Sequence, residues 1–403
     1  MTLTKPNYIF QPADILLPAG NLRKWSVIAC DQFTSDGEYW DAVQQYVGDC
    51  PSALRLMLPE YYLGRVDEPK AAAEIQNTMR EYLRLGILKS WSDSFVYLER
   101  RLSSGALRRG LMGVIDLEAY DYAPDAKTPI RASEFTVEDR LPPRVRVRRQ
   151  APLEMPHVML FFNDPTDHVM REAKRAAAEI LYDFALMGGG GQICGRRITG
   201  KKAWALAQLI SEGDGLRFAV GDGNHSLAAA RKCWLEKREH LSPEQQNNDP
   251  ARFALVELVN IHDDAITFEP IHRVLFHTDP AAWFKAAEKE LYDSAGRSVT
   301  LIADERRMTL AVKGASIGET IENIERFCRA YCARHGGEID YIHGDDETAM
   351  LSQRAHCCGI LLPQMKKEEL FPSLEQSGPF PKKSFSIGLG PDKRYYLECR
   401  KIQ

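Results

Sequence analysis

The apolar positions of the chain change period repeatedly, from alternation and short unbroken runs to the three- and four-residue spacing of helices. Within residues 69–88, Ile75, Met79, Tyr82 and Leu83 share one helical face, and Gly86 stands where a C-cap belongs. The same spacing predicts helices over 37–50, 167–187, 199–212, 225–240 and 280–293. A further helix is predicted over 316–337, with Ser316 and Glu319 as a capping box and Gly336 as its stop. SFVYLERRL and GLMGVIDLEAY flank a Ser/Gly turn and predict a β-hairpin. VMLFFNDP, RFAVG, FALVELVNI, ITFEPIHRVLF, residues 297–317, CCGILLPQ and RYYLECRKI predict further strands. Strands and helices interleave without an internal repeat, so the expected fold class is α/β (mixed α+β). A polar, proline-bearing segment at 127–156 suggests a seam. It would separate an N-terminal α/β region, 1–125, from a main α/β region, 126–403; one integrated unit is the alternative.

Composition narrows the function classes. The chain has 403 residues, 44% hydrophobic and 27% charged, with a formal net charge of -4, which suits a globular protein and argues against a nucleic-acid binder. The basic run Arg140, Arg144, Arg146, Arg148 and Arg149 lacks interleaved aromatics and reads as a solvated face. No leader-like basic and apolar sequence opens the chain, and no segment approaches a membrane span. Nine cysteines without a leader are expected to be reduced thiols of a cytoplasmic protein. Cys328, Cys332 and His335, with His343 and His356-Cys357-Cys358 downstream, lack Cys-x-x-Cys pairs and read as buried thiols rather than a zinc site. GGGG at 188–191 is followed by no Gly-Lys-Ser/Thr and reads as a mobile loop or lid.

The chemistry concentrates in RFAVGDGNHSLAAARKCW, residues 217–234. Gly221 and Gly223 permit positive φ or close approach of a ligand. The helix that follows presents unpaired N–H groups and a partial positive charge, for which phosphate is the natural guest. Asp222 can hold a cation or act as a base, and Asn224 and His225 can hydrogen-bond to phosphate oxygens or a substrate hydroxyl. The competing reading is a structural turn in which Asn224 or Ser226 caps the helix. Elsewhere, Arg131 and Glu134 lie in a polar stretch, Glu134 as a base or metal ligand or else as a capping residue ahead of Thr136. His272-Arg273 sits inside an apolar run, where a charge must be paired or face a ligand; a structural bridge to Glu134 or Asp222 would serve equally. Lys382, Lys383 and Ser384 form a loop between prolines and glycines that can close on an anion or be merely solvated.

The turn at 221–226 and the Ala-Ala helix after it resemble the signature of the DUF1015 family. PIRASEFTVEDR (129–140), EPIHRVLF (269–276), GILLP (359–363) and GPFPKKSFSIGLGP (378–391) resemble that family's other blocks, in the same order. The turn also resembles the phosphate turn of the ParB/sulfiredoxin-like superfamily, which includes ParB proteins, sulfiredoxin and free-serine kinases. This resemblance implies a ParB/sulfiredoxin-like nucleotide-binding core with an additional mixed sheet and helices. It also implies ATP or ADP, with CTP as an alternative, together with Mg²⁺.

The implied activity is that of a phosphotransferase, a small-molecule kinase acting on a hydroxyl metabolite such as free serine. Asp222 would hold the metal or position the acceptor, His225 would stabilise the transferring phosphate, and Glu134 would be the base. Gly221, Gly223, Asn224, Ser226, Arg131, His272, Arg273, Lys383 and Ser384 would contact the anion, with Asp31 and Arg140 completing the motif set. The alternative is a non-catalytic ParB-like nucleotide-binding module working through a partner. The chain departs from the family pattern at Asn224 (usually His), Ser226 (usually Arg) and Ser133 (usually His). A nucleotide and a small substrate are the expected partners, nucleic acid and membrane are not, and a homo-oligomer is left open.

Overall fold

The computed structural model describes residues 8–29, 33, 36–155, 158–388 and 390–403. The chain lays down β1 (Phe10–Gln11) and β2 (Ala13–Pro18), then α1 (Leu22–Trp25), α2 (Gly37–Val47) and α3 (Glu68–Arg84). The expected hairpin follows as β3 (Leu88–Arg101) and β4 (Leu107–Asp116), and short β5 (Tyr120–Asp121) and β6 (Ile130–Ala132) come next. After α4 (Leu141–Arg149) and β7 (Leu153–Glu154) come β8 (Met159–Phe162), α5 (His168–Ala176), β9 (Ile180–Ala185) and β10 (Gln192–Thr199). Then α6 (Lys201–Ser211), β11 (Phe218–Asp222), α7 (Asn224–Arg238), α8 (Pro243–Asn248) and β12 (Phe253–Asn260) finish the first sheet and its helices.

That sheet has the order β5-β6-β11-β8-β12-β4-β3-β10-β9, with β1 paired to β4 and β2 to β3. Its β5–β6, β6–β11 and β8–β12 pairs are parallel. The sheet crosses residue 125, because β5 and β6 stand on either side of it and β4 pairs with β12. A division of the chain there would part hydrogen-bonded strands.

A second sheet takes the rest of the chain. It contains β13 (Phe268–Phe276), β14 (Tyr292–Ala303), β15 (Arg306–Val312), β16 (Glu338–His343), β17 (Cys357–Leu361) and β18 (Phe385–Ile387), in the order β15-β14-β17-β13-β16 with β18 on β13. The helices α9 (Pro280–Leu291), α10 (Ile317–His335), α11 (Asp345–Ser352) and α12 (Leu370–Ser377) pack with it. Finally β19 (Arg400–Lys401) pairs with β7, and Cys399 and Tyr396 bridge to Leu16 and Val27, so the end of the chain closes against its beginning. Trp25, Trp234 and Trp283 are fully buried in three separate parts of the core.

The architecture is the expected mixed α/β, with differences in detail. The helix expected over 167–187 stops at Ala176, and Ile180–Ala185 forms β9 instead. Tyr182 and Phe184 are buried while Ile180, Asp183 and Ala185 are exposed, a two-residue alternation that β10 stabilises by pairing. Tertiary pairing overrides a helical local composition there. The run at 188–191 is no lid: it closes the β9–β10 hairpin, with Leu186 N–H donating to the Gly191 carbonyl and Arg100 Nη2 donating to the Gly190 carbonyl at 2.9 Å. Of RYYLECRKI only Arg400–Lys401 is strand. Among the described residues no helix is long and apolar enough to cross a membrane, and no group of three or more His, Cys, Asp or Glu side chains is arranged to hold a metal.

Candidate functional site

The opening of α7 is built as a strand–turn–helix junction. β11 ends at Asp222, Gly223 follows with φ +82°, and α7 begins at Asn224 with no side-chain cap. Asp222 Oδ1 turns back to accept from Gly223 N–H at 2.8 Å. Neither the Asn224 nor the Ser226 side chain caps the helix. The first-turn N–H groups of Asn224, His225 and Ser226 have no acceptor among the described residues, and a fifteen-residue helix adds its dipole to them. Gly223 is required by its backbone conformation and by contact, Gly221 by contact alone. A Cβ on Gly223 would lie 3.0 Å from Val158 Cα, and one on Gly221 would run into the Phe161 ring.

The neighbouring strand brings the second motif to this turn. β6 pairs in parallel with β11, Ala132 opposite Val220. The register runs no further: Glu134 lies two residues beyond the end of β6, in the segment whose Val137 N–H bonds to His225 at the start of α7. Glu134 is in turn bridged to Phe380, where Phe380 N–H donates to the Ser133 carbonyl and Phe135 N–H to the Phe380 carbonyl. The 129–140 and 378–391 blocks are thus laced together beside the turn. Ser133 Oγ, Thr136 Oγ1 and Asn224 Oδ1 are buried without a hydrogen-bond partner among the described residues. Unsatisfied buried polar atoms are rare, and a cluster of them marks a place completed by water or a ligand. Arg131 points elsewhere: its Nε donates to the Thr128 carbonyl at 3.0 Å, and it lines a separate cavity with Lys127 and Glu375.

On one flank of the turn stands His225. Its Nε2 accepts from Val137 N–H at 3.2 Å, which places the proton of the neutral ring on Nδ1. Burial, reinforced by the guanidinium groups of Arg144 and Arg140, holds its pKa down at about 4, with Glu60 acting weakly the other way. His225 is therefore a neutral donor at pH 7. Arg144 is ion-paired with Glu60, and Arg140 accepts from Arg144 through its carbonyl. The rest of the basic run on α4 is spent on bridges, Arg146 to Glu68, Arg148 to Glu154 and Arg149 to Glu236.

On the other flank, Lys393 Nζ lies 3.6 Å from the Asp222 carboxylate. Lys383 and Lys393 both face His343, whose pKa is lowered by burial and then by these two cations. Lys383, at φ +56°, sets its ammonium 5.4 Å above the Tyr341 ring and offers its carbonyl to Arg273 Nη1 at 2.9 Å. Arg273 is fully buried and pairs with Glu325 at 3.0 Å, so its bridge runs neither to Glu134 nor to Asp222. His272, whose pKa burial lowers, accepts from Leu362 N–H through Nδ1 at 3.0 Å and meets Asp345 at 2.8 Å. Ser384 Oγ, buried, donates to the Pro381 carbonyl.

The predicted residues thus separate by position. Gly221, Asp222, Gly223, Asn224, His225 and Ser226 form the turn, Arg140 lies near His225, and Glu134 belongs to the segment that adjoins the turn through Val137. Lys383 reaches the same region beside Lys393 and His343. His272, Arg273 and Ser384 brace the loop that carries Lys383, and Arg131 lies apart. Asp31 lies outside the described residues.

Sequence reasoning missed Lys393, although it stands two residues beyond the last block quoted. Its backbone is clamped: Arg100 Nη1 donates to the Lys393 carbonyl at 2.7 Å, and Arg108 Nη1 to the Asp392 carbonyl at 2.8 Å. Both arginines are buried, with Glu257 3.6 Å from Arg108 and 2.8 Å from Arg394. The Arg144–Glu60 pair carried no sequence signal, because its members are 84 residues apart.

Comparison with known proteins gives a family and remote structural likenesses. No curated protein matches the sequence. A variant of free serine kinase in complex with ADP is 10% identical, over 72% of this chain and 91% of its own, with a TM-score of 0.41. A conserved hypothetical protein from Pyrococcus furiosus is 11% identical over 70% of this chain and 93% of its own, at 0.37. SbnI from Staphylococcus aureus, truncated at its C-terminus, is 9% identical over 69% and 82%, also at 0.37. Residues 11–400 match the family described as "Protein of unknown function (DUF1015)", and the chain belongs to that family.

Proposed function

We propose that the protein binds a nucleotide by its phosphates at the Gly221–Ser226 turn and transfers a phosphoryl group to the hydroxyl of a small metabolite such as free serine. The observation that carries this reading is the uncapped start of α7. Three backbone donors, flanked by Lys393, Arg140 and a neutral His225, have no protein acceptor among the described residues. Such a turn is an anion site by construction.

Asp222, the last residue of β11, and Glu134, two residues beyond the paired strand β6, are hard oxygen donors of the kind Mg²⁺ takes. When bound there, the ion would neutralise phosphate charge. Glu134 accepts the proton of the acceptor hydroxyl as its oxygen bonds to phosphorus and the bond to the leaving diphosphate breaks. Lys393, the α7 amides and His225 Nδ1–H hold the charge on the phosphoryl oxygens. Asp222 orients Gly223 through its Oδ1 and sets the position of Lys393 through its Oδ2.

The test is Asp222→Asn, assayed for nucleotide-dependent phosphorylation of L-serine and a panel of hydroxy metabolites. Turnover should vanish while the melting temperature holds; full activity in the variant overturns the assignment. Ser226 favours the second reading, a non-catalytic nucleotide-binding module, because it offers no bidentate guanidinium to the phosphates. Calorimetric binding of ATP, ADP or CTP with no product from any acceptor would select that reading.

A further inference from the structure

A cavity of about 210 Å³ adjoins the first turns of α7 and is lined by Ser226 and Leu227 of that helix. Its walls are largely apolar and include Trp40, Met57, Met79, Met155 and Tyr396. Its polar lining includes the Arg144–Glu60 pair and the Arg148–Glu154 pair. An apolar chamber with a few fixed polar groups is the ordinary form of a small-molecule site. The wall chemistry narrows the guest further. Three thioethers and two aromatic rings suit a flat ring system, which thioethers contact at face or edge and aromatic rings contact by stacking. Arg148 Nη2 is buried without a hydrogen-bond partner among the described residues, although Arg148 Nη1 is 2.7 Å from Glu154. That leaves the two N–H donors of Nη2 for a ring nitrogen or an exocyclic carbonyl.

We propose that this cavity receives the heteroaromatic base of a nucleotide whose phosphates occupy the Gly221–Ser226 turn; the assignment rests on the nucleotide reading above. Ser226 lies at the junction, on the phosphate turn and on the cavity wall alike. The serine at 226 takes up little room at this junction, where an arginine side chain would take up more. The cavity thereby converts a general phosphate turn into a nucleoside-selective one.

The experiment compares ADP with inorganic pyrophosphate by calorimetry on the full chain in Mg²⁺ buffer. ADP should bind at least about ten-fold more tightly than pyrophosphate, the difference being the base and its sugar. Two cavity-filling variants follow. Met57→Trp changes a half-buried wall residue, and Ala229→Phe fills the cavity from α7. Each should bring ADP down to the affinity of pyrophosphate and leave pyrophosphate binding unchanged, with a cooperative melt showing that the variant is folded. Equal binding of the two probes by the parent protein, or ADP binding indifferent to both folded variants, overturns the cavity assignment while leaving the phosphate turn in place. Failure of both probes to bind the parent protein overturns the nucleotide reading and this assignment with it.

Discussion

Lys393 stands 3.6 Å from the carboxylate of Asp222, both side chains largely shielded from solvent, at 15% and 27% exposure. The ammonium comes from a C-terminal loop pinned by Arg100, and the carboxylate from a turn pinned by its own hydrogen bond to Gly223. Neither group moves far without disturbing buried structure. The pair therefore keeps a cation beside unpaired helix amides, the arrangement an incoming phosphate requires.

Lys393→Ala removes that cation. Binding of pyrophosphate or ADP should weaken by about ten- to a hundred-fold, the loss expected for one charge-assisted contact. Stability should change by no more than about 1 kcal/mol, because the pair is partly exposed. Calorimetry beside a thermal melt checks both numbers. Unaltered affinity in a normally melting variant would remove Lys393 from the site.

Gly223→Ala forces a side chain into the left-handed region and against Val158 Cα at 3.0 Å. Urea denaturation should show a loss of about 1–3 kcal/mol, the cost of a strained backbone position. The start of α7 should shift with it and anion binding should fall. A variant of parental stability with full binding would mean that the turn tolerates a Cβ and that the glycine is incidental.

Arg273 and Glu325 form a buried pair that supports the second sheet. Arg273→Ala should destabilise the protein by about 3 kcal/mol, near the lower end of the range for breaking a buried pair, because Glu325 keeps Arg329 and Tyr341 as partners at 2.7 Å each. Affinity for ADP in the folded protein should change little. Lost binding at unchanged stability would return Arg273 to direct contact with the ligand.

His225 makes stability depend on pH with a definite sign. Its pKa is about 4 in the folded chain against an ordinary 6.5, so the unfolded state alone binds this proton between those values. Stability therefore falls as pH is lowered from about 6.5 to about 4 and levels off below. His225→Gln should reduce that slope by the equivalent of one proton. Denaturation at pH 7, 5.5 and 4.5 measures it, and an identical slope in the variant would show that His225 titrates normally. The same shift keeps His225 neutral at pH 7, so phosphate binding there should owe its charge to Lys393 and the arginines.

Much of the site was legible because its signals are local. A strand pattern, two glycines and an alanine-rich helix are consequences of backbone period and φ preference, and they located β11, Gly223 and α7 to within about two residues. The helix expected over 167–187 failed for the converse reason. ILYDFA carries both periods, and the pairing of Tyr182 and Phe184 against β10 selected the strand. Arg131 and Glu134 were equally plausible in sequence, yet Arg131, within β6, turns to the Thr128 carbonyl, while Glu134 lies beyond the strand and bridges to Phe380.

By itself the sequence determined the mixed α/β class, the family blocks and the turn, since each depends on residues within a few positions of one another. Only the tertiary structure decided where the charges end: Arg273 on Glu325, Arg144 on Glu60, Lys393 on Asp222. It also showed that Asn224 and Ser226 leave the helix uncapped. Those outcomes depend on which strands become neighbours. A buried charge takes whichever partner the packing brings within reach, and sequence distance does not enter that choice.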